Sequence, residues 1–162
     1  MDFETSKRKN KGLSSIIGKK VIAIGNSLMM DDGVALLILD KIRKRLEDKG
    51  IESIMGETDV EFCFSLLNEI DVFYIMDSTY YGNVPGTLTF KKLDDIKKTK
   101  DYSMSIHSLG LMDLINMYNM DIKGYFIGIE ISRIDINLGL SNILKGKVED
   151  ISQKEMSFKI GR

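Results

Sequence analysis

The chain has 162 residues, 43% of them apolar and 29% charged, which suits one globular unit with a real core and is too apolar for a disordered chain. Lysine and arginine number 23 against 24 acids, a net charge of −1, so neither nucleic acid nor an anionic membrane surface is expected as a partner. The longest apolar run, Val34 to Leu39, falls far short of the ~20 residues of a membrane-spanning helix. Met1 to Gly12 is polar, without the hydrophobic region of a secretory signal, and a single cysteine excludes an internal disulfide. A cytoplasmic protein is the expectation. Cys63, between Phe62 and Phe64 and with no basic neighbour, reads as a small core residue and not as a nucleophile.

In chain order, residues 1–18 read as a flexible polar arm carrying Lys7, Arg8, Lys9 and Lys11, and residues 19–162 as a single domain. Lys20 to Ile24 is a buried strand ending at Gly25-Asn26. A helix is predicted from about Asp32 to Lys49, with Leu39, Ile42 and Leu46 as its stripe and Gly50 as its stop. Ile51 to Met55 is a second strand, and Asp59 caps a helix whose apolar face is Val60, Cys63, Phe64 and Leu67. Asp71 to Met76 is a third strand running directly into Asp77. A Gly/Pro-punctuated loop, Tyr81 to Gly86, precedes a short strand, Thr87 to Lys91. A polar, charged loop leads to a helix from Ser108 carrying Leu111, Leu114, Ile115 and Tyr118. Tyr125 to Ile131 is a further strand, and Leu140, Leu144, Val148 and Ile151 form a last helical stripe, weakened by Gly146.

Strands alternating with helices predict an α/β fold: a doubly wound, three-layer α/β/α sandwich around a mostly parallel, twisted sheet of about five strands. Such sheets take ligands beyond the carboxyl ends of their strands, where the winding reverses. At that edge stand Asp31-Asp32 after the first strand, Asp77 at the tip of the third, and His107, the only histidine, before a helix. Each also has an ordinary structural reading: a helix cap for Asp31 or Asp32, a bond to loop amides for Asp77, a structural or exposed imidazole for His107. Taken together they suit a transition ion such as nickel, zinc, iron or manganese. Two carboxylates ~4 Å apart repel by roughly 4 kcal/mol at an effective dielectric of 20, so a converging Asp32 and Asp77 need a cation or a shared proton. With nothing bound, one of them is expected to titrate abnormally high. Gly25-Asn26 lacks the further glycines of a dinucleotide fingerprint, and no Gly-Lys-Ser/Thr follows it.

Ile24-Gly25-Asn26-Ser27-Leu28-Met29-Met30-Asp31-Asp32-Gly33-Val34 resembles the opening motif of the hydrogenase maturation proteases. In the same order, Tyr74-Ile75-Met76-Asp77 with Gly82 and Pro85-Gly86-Thr87 is similar to the family's third strand and the turn behind it. Ser105-Ile106-His107-Ser108-Leu109-Gly110-Leu111 resembles its histidine motif, and Gly128-Ile129-Glu130 with Gly139-Leu140-Ser141 its closing strand and last helix. The resemblance covers roughly Lys20 to Ile151. It departs at Ala35 and Ile131, where the family commonly has glycine and proline, at Ser78 in place of alanine, and at the bulky Tyr80-Tyr81.

The resemblance implies a phosphorylase/hydrolase-like sandwich and an endopeptidase that removes the C-terminal extension of a NiFe-hydrogenase large-subunit precursor. It implies that Asp32, Asp77 and His107 are the catalytic and metal-contacting residues, with Asp31 as a cap or support. The metal would be the nickel already in the precursor, with no tightly held metal of the enzyme's own, and the enzyme would act as a monomer. Two rival readings stand beside it: a receiver-like signalling module, with Asp77 as phospho-acceptor, and a non-catalytic binding protein on the same fold. Tyr80 and Tyr81 are the candidate client contacts, and Met112, Met117 and Met120 are expected in the core.

Overall fold

The computed structural model describes residues 16–99, 104–155 and 160, so the predicted arm lies, up to residue 15, outside the described residues. Five strands form one sheet: β1 (Lys19–Ile24), β2 (Glu52–Glu57), β3 (Val72–Thr79), β4 (Leu88–Lys92) and β5 (Lys123–Glu130). Their order is β2-β1-β3-β5-β4, parallel except for β4, which runs antiparallel to β5 at the edge. The winding reverses between β1 and β3, so their carboxyl ends flank the crevice where the sequence places its acids.

Alternation along the strands divides the core between two faces. Val21, Ala23, Tyr74, Met76 and Ile127 face α1 (Val34–Asp48), which buries Ile38, Leu39, Ile42 and Leu46 against them. Each such side chain contributes about 1.5–3 kcal/mol when fully buried. Leu140, Leu144, Val148 and Ile151 complete that face from the C-terminal segment. On the other face Ile22, Ile24, Phe73, Ile75 and Phe126 pack against α2 (Val60–Ser65), α3 (Leu93–Lys98) and α4 (Ile106–Met117). The three-layer sandwich is thus as the sequence predicts.

Several boundaries differ, for local reasons. Asp31 and Asp32 lie in a short 3-10 turn, Met30–Gly33, and the α-helix begins only at Val34. Neither acid caps it. This turn folds back tightly on the exit of β1. A Cβ on Gly25 (φ +151°) would lie 2.2 Å from the Asp32 carbonyl oxygen, and one on Gly33 would lie 2.8 Å from the Ser27 Cα. The segment read as a charged loop contains α3, where Leu93 and Ile96 are buried, Asp94 and Asp95 sit in the first turn, and Lys97 and Lys98 in the last. Those charges suit the helix dipole, but two apolar positions are too few to stand out as a period. The last stripe is buried as expected, yet it is broken into α5 (Asn142–Lys145), α6 (Val148–Asp150) and a wide final turn, Ile151–Glu155, with Gly146 ending α5.

Asp59 caps α2 as predicted, accepting from the Phe62 N–H at 2.9 Å. Cys63 is fully buried, and burial, followed by the charge of Asp59, pushes its thiol up to about 11. It is a core residue. Met112 is buried, but Met117 and Tyr118 are exposed at the end of α4.

Candidate active site

The two acids reach one place from opposite sides of the switch point. Asp77, the sixth residue of β3, is fully buried because its strand is central in the sheet. Asp32 enters from the 3-10 turn after β1. Ser78 bonds to both: its hydroxyl donates to Asp32 Oδ1 at 2.8 Å, and its N–H donates to Asp77 Oδ1 at 2.7 Å. Asp32 Oδ2 accepts from the Asn26 N–H at 3.0 Å.

The other oxygen of Asp77 accepts short hydrogen bonds from the hydroxyls of Ser105 and Ser108. Ser105 is also the N-cap of α4, accepting from the Ser108 N–H at 3.2 Å. A bridge between Thr79 and Met104 brings this helix start to the tip of β3. Burial raises the Asp77 pKa to about 7; the two seryl hydroxyls and the Ser78 N–H oppose the rise, and the charge of Asp32 adds to it. Desolvation, more than the repulsion from Asp32, is what raises it.

His107 lies inside α4, in its first turn, and not before the helix. It is half-buried and, among the described residues, has no hydrogen-bond or ionic partner. It stands between Ser105 and Ser108, the two residues that hold Asp77. Among the described residues no three His, Cys, Asp or Glu side chains are grouped to hold a metal ion. The structure thus joins Asp32 to Asp77, and ties the helix that bears His107 to Asp77.

Asp31 has a different task. Its buried carboxylate accepts from the N–H groups of Ser132, Arg133 and Ser141 and from the Ser141 hydroxyl, at 2.7–3.0 Å. Backbone bonds from Met30 to Asn137 and from Asp31 to Arg133 complete the seam between the acidic turn and the loop after β5. This is the supporting role expected of Asp31, exerted on the loop after β5 and on Ser141, the N-cap residue of α5. The seam also holds Met30 at φ +48°, a left-handed conformation that costs a side-chain-bearing residue about 1–2 kcal/mol. Asp31→Ala would leave four donors without their acceptor, at a cost on the order of 3 kcal/mol. Amide hydrogen exchange is expected to accelerate at residues 132–141 while β1 and β3 stay protected; unchanged exchange there would contradict this role.

Glu130, at the end of β5, is the acid whose role the sequence did not reveal. Buried, it accepts from the Thr79 hydroxyl and from three successive N–H groups, Tyr81, Gly82 and Asn83, at 2.8–3.2 Å. It therefore fixes the loop that leaves Asp77. Tyr80 on that loop is exposed, whereas Tyr81 accepts a hydrogen bond from Lys91 at 3.0 Å and lies under its ammonium group. Ser105 and Ser108 were likewise missed as partners of Asp77. Their spacing signals a helix start, and only the register of β3 reveals what else they bond.

Comparison with known proteins bears on this site. Residues 36–157 match the profile of a family described as hydrogenase maturation protease, a span that contains Asp77, His107 and Glu130 and begins just after Asp32. The hydrogenase expression/formation protein HupD of Rhizobium leguminosarum is 27% identical over 108 residues, 65% of this chain but only 52% of the relative. A Methanocaldococcus jannaschii protein, provisionally named a hydrogenase maturation protease, is 27% identical over 127 residues, 75% of this chain and 82% of its own. The chain thus spans about half the length of one of these relatives and most of the other. The structure of the [NiFe] hydrogenase maturation protease HybD from Thermococcus kodakarensis superposes with a TM-score of 0.67 at 24% identity, covering 89% of this chain and 99% of that one. At that identity the likeness bears on the fold alone.

Proposed function

Because this chain belongs to the hydrogenase maturation protease family, we propose that it is an endopeptidase that removes the C-terminal extension of a nickel-loaded NiFe-hydrogenase large-subunit precursor. In this reading it recognises the nickel through Asp32, Asp77 and His107, holds no tightly bound metal of its own, and acts as a monomer. The observation that carries the proposal is the pairing of Asp32 and Asp77 through Ser78 at the reversal of the sheet, under the first turn of the helix that bears His107.

The chemistry follows from the donor set. Asp32 accepts one hydrogen bond on each oxygen, which leaves lone pairs for an incoming ligand. His107 has an imidazole uncommitted among the described residues. Two oxygens and a nitrogen suit nickel with positions left open, to be filled by the precursor's own ligands. The ion arrives as part of the substrate, so its presence on the precursor reports that loading is complete. Bound there, it would lie beside the scissile bond, where the carboxylates are the available general bases.

The test is cleavage of a purified precursor with and without nickel. Wild type is expected to shorten the loaded precursor by its C-terminal extension and to leave the unloaded one intact. Cleavage of both at equal rates would remove the metal-recognition role, and cleavage of neither would favour a binding protein on this fold.

A further inference from the structure

We propose that Ser78 is a positioning residue that sets the carboxylate of Asp32 against that of Asp77. The inference rests on the function proposed above for the two acids, and adds to it a group outside that set. Ser78 is buried next to Asp77 on β3, and its two polar groups go to two different acids. The N–H is fixed by the strand, so any residue here except proline would hold Asp77 Oδ1. The hydroxyl, 2.8 Å from Asp32 Oδ1, is the side chain's own contribution. Asp32 reaches the crevice from a turn and not from a strand, and among the described residues its only other donor is the Asn26 N–H on Oδ2. With one donor on each oxygen the carboxylate plane is held at two points. Removing the hydroxyl leaves one, and the carboxylate can then rotate about it. The consequence is selective: Asp77 keeps its three donors, whereas Asp32 loses one of two.

The experiment compares wild type with Ser78→Ala and Ser78→Thr, the second of which keeps the hydroxyl. Ser78→Cys, close to serine in volume but a weak donor, replaces the alanine variant should that one fail to fold. The first readout is the carboxyl carbon NMR signal of Asp32 at a single pH, identified by its loss in Asp32→Asn. It should move in Ser78→Ala, return in Ser78→Thr, and leave the Asp77 signal near its place. The second is processing of the nickel-loaded precursor, where KM should rise about tenfold in Ser78→Ala with kcat within about twofold, and recover in Ser78→Thr. An unmoved Asp32 signal in a folded variant overturns the proposal. So does kcat/KM within twofold of an active wild type, or failure of the threonine variant to recover, which would assign the effect to packing. Should wild type process no precursor while the Asp32 signal still moves and returns, the positioning role stands and the proposed protease function falls.

Discussion

Replacing Asp77 with asparagine is expected to abolish processing of the precursor, by at least about 10³-fold, while making the protein harder to unfold at pH 8. The loss of processing follows from the proposed role of its carboxylate, and the gain in stability from its burial. Asp77 is buried at the centre of the sheet, and burial lifts its pKa from 3.8 to about 7. The folded protein thus keeps a proton on this group over a range in which the unfolded chain has lost it. For an acid shifted upward, that proton stabilises the fold below about pH 4, and the stabilisation is lost as pH rises toward about 7. From 3.8 to about 7, at about 1.4 kcal/mol per pH unit, the loss is on the order of 4 kcal/mol.

An amide escapes that loss because it never ionises. Its oxygen still accepts from the Ser78 N–H, and the hydroxyls of Ser105 and Ser108 can turn to accept from its NH₂. Urea unfolding at pH 5 and pH 8 is the check. Wild type should be the less stable protein at pH 8, and the gap should narrow or reverse at pH 5. A variant weaker than wild type by the same amount at both pH values would show that Asp77 is held as an ordinary ionised acid.

The architecture was legible because the strands are short, β-branched and bounded by glycine or acid: Lys20 to Ile24 read as a buried strand and Asp71 to Met76 as a strand, and Val21 to Ile24 and Phe73 to Met76 are buried. Legibility failed where structure depends on contacts far along the chain. The turn holding Asp31 and Asp32 looked like the start of a helix, since nothing local reveals that Asp31 is held by Ser132, Arg133 and Ser141. Helix α3 escaped for want of a period. At the site, Asp32 and Asp77 could be placed together once β1 and β3 were taken as neighbours, a matter of topology. Ser78, Ser105 and Ser108 could not, because serine is abundant in loops and helix caps, and only register shows which hydroxyls face a buried carboxylate. His107 was expected just before its helix and is instead that helix's second residue.

His107→Ala should be the second variant with a large effect, and its signature differs from that of Asp77→Asn. The imidazole is half-buried and, among the described residues, unpaired, so its removal should change stability by no more than about 1 kcal/mol. On the proposed role of His107 as a nitrogen ligand to the client's nickel, processing should nevertheless fall by at least about 10²-fold. Thermal unfolding combined with a cleavage assay separates the outcomes. A large stability loss would make His107 a structural residue, and undiminished cleavage would remove it from the site.

The most direct measurement is X-ray absorption at the nickel edge on the loaded precursor, alone and after addition of a slowed variant such as Asp77→Asn, with and without His107→Ala. If the protein completes the coordination of its client's metal, the spectrum changes on binding, gains the scattering of an imidazole, and loses that feature when His107 is replaced. A nickel spectrum that stays the same while wild type cleaves the precursor would contradict the account.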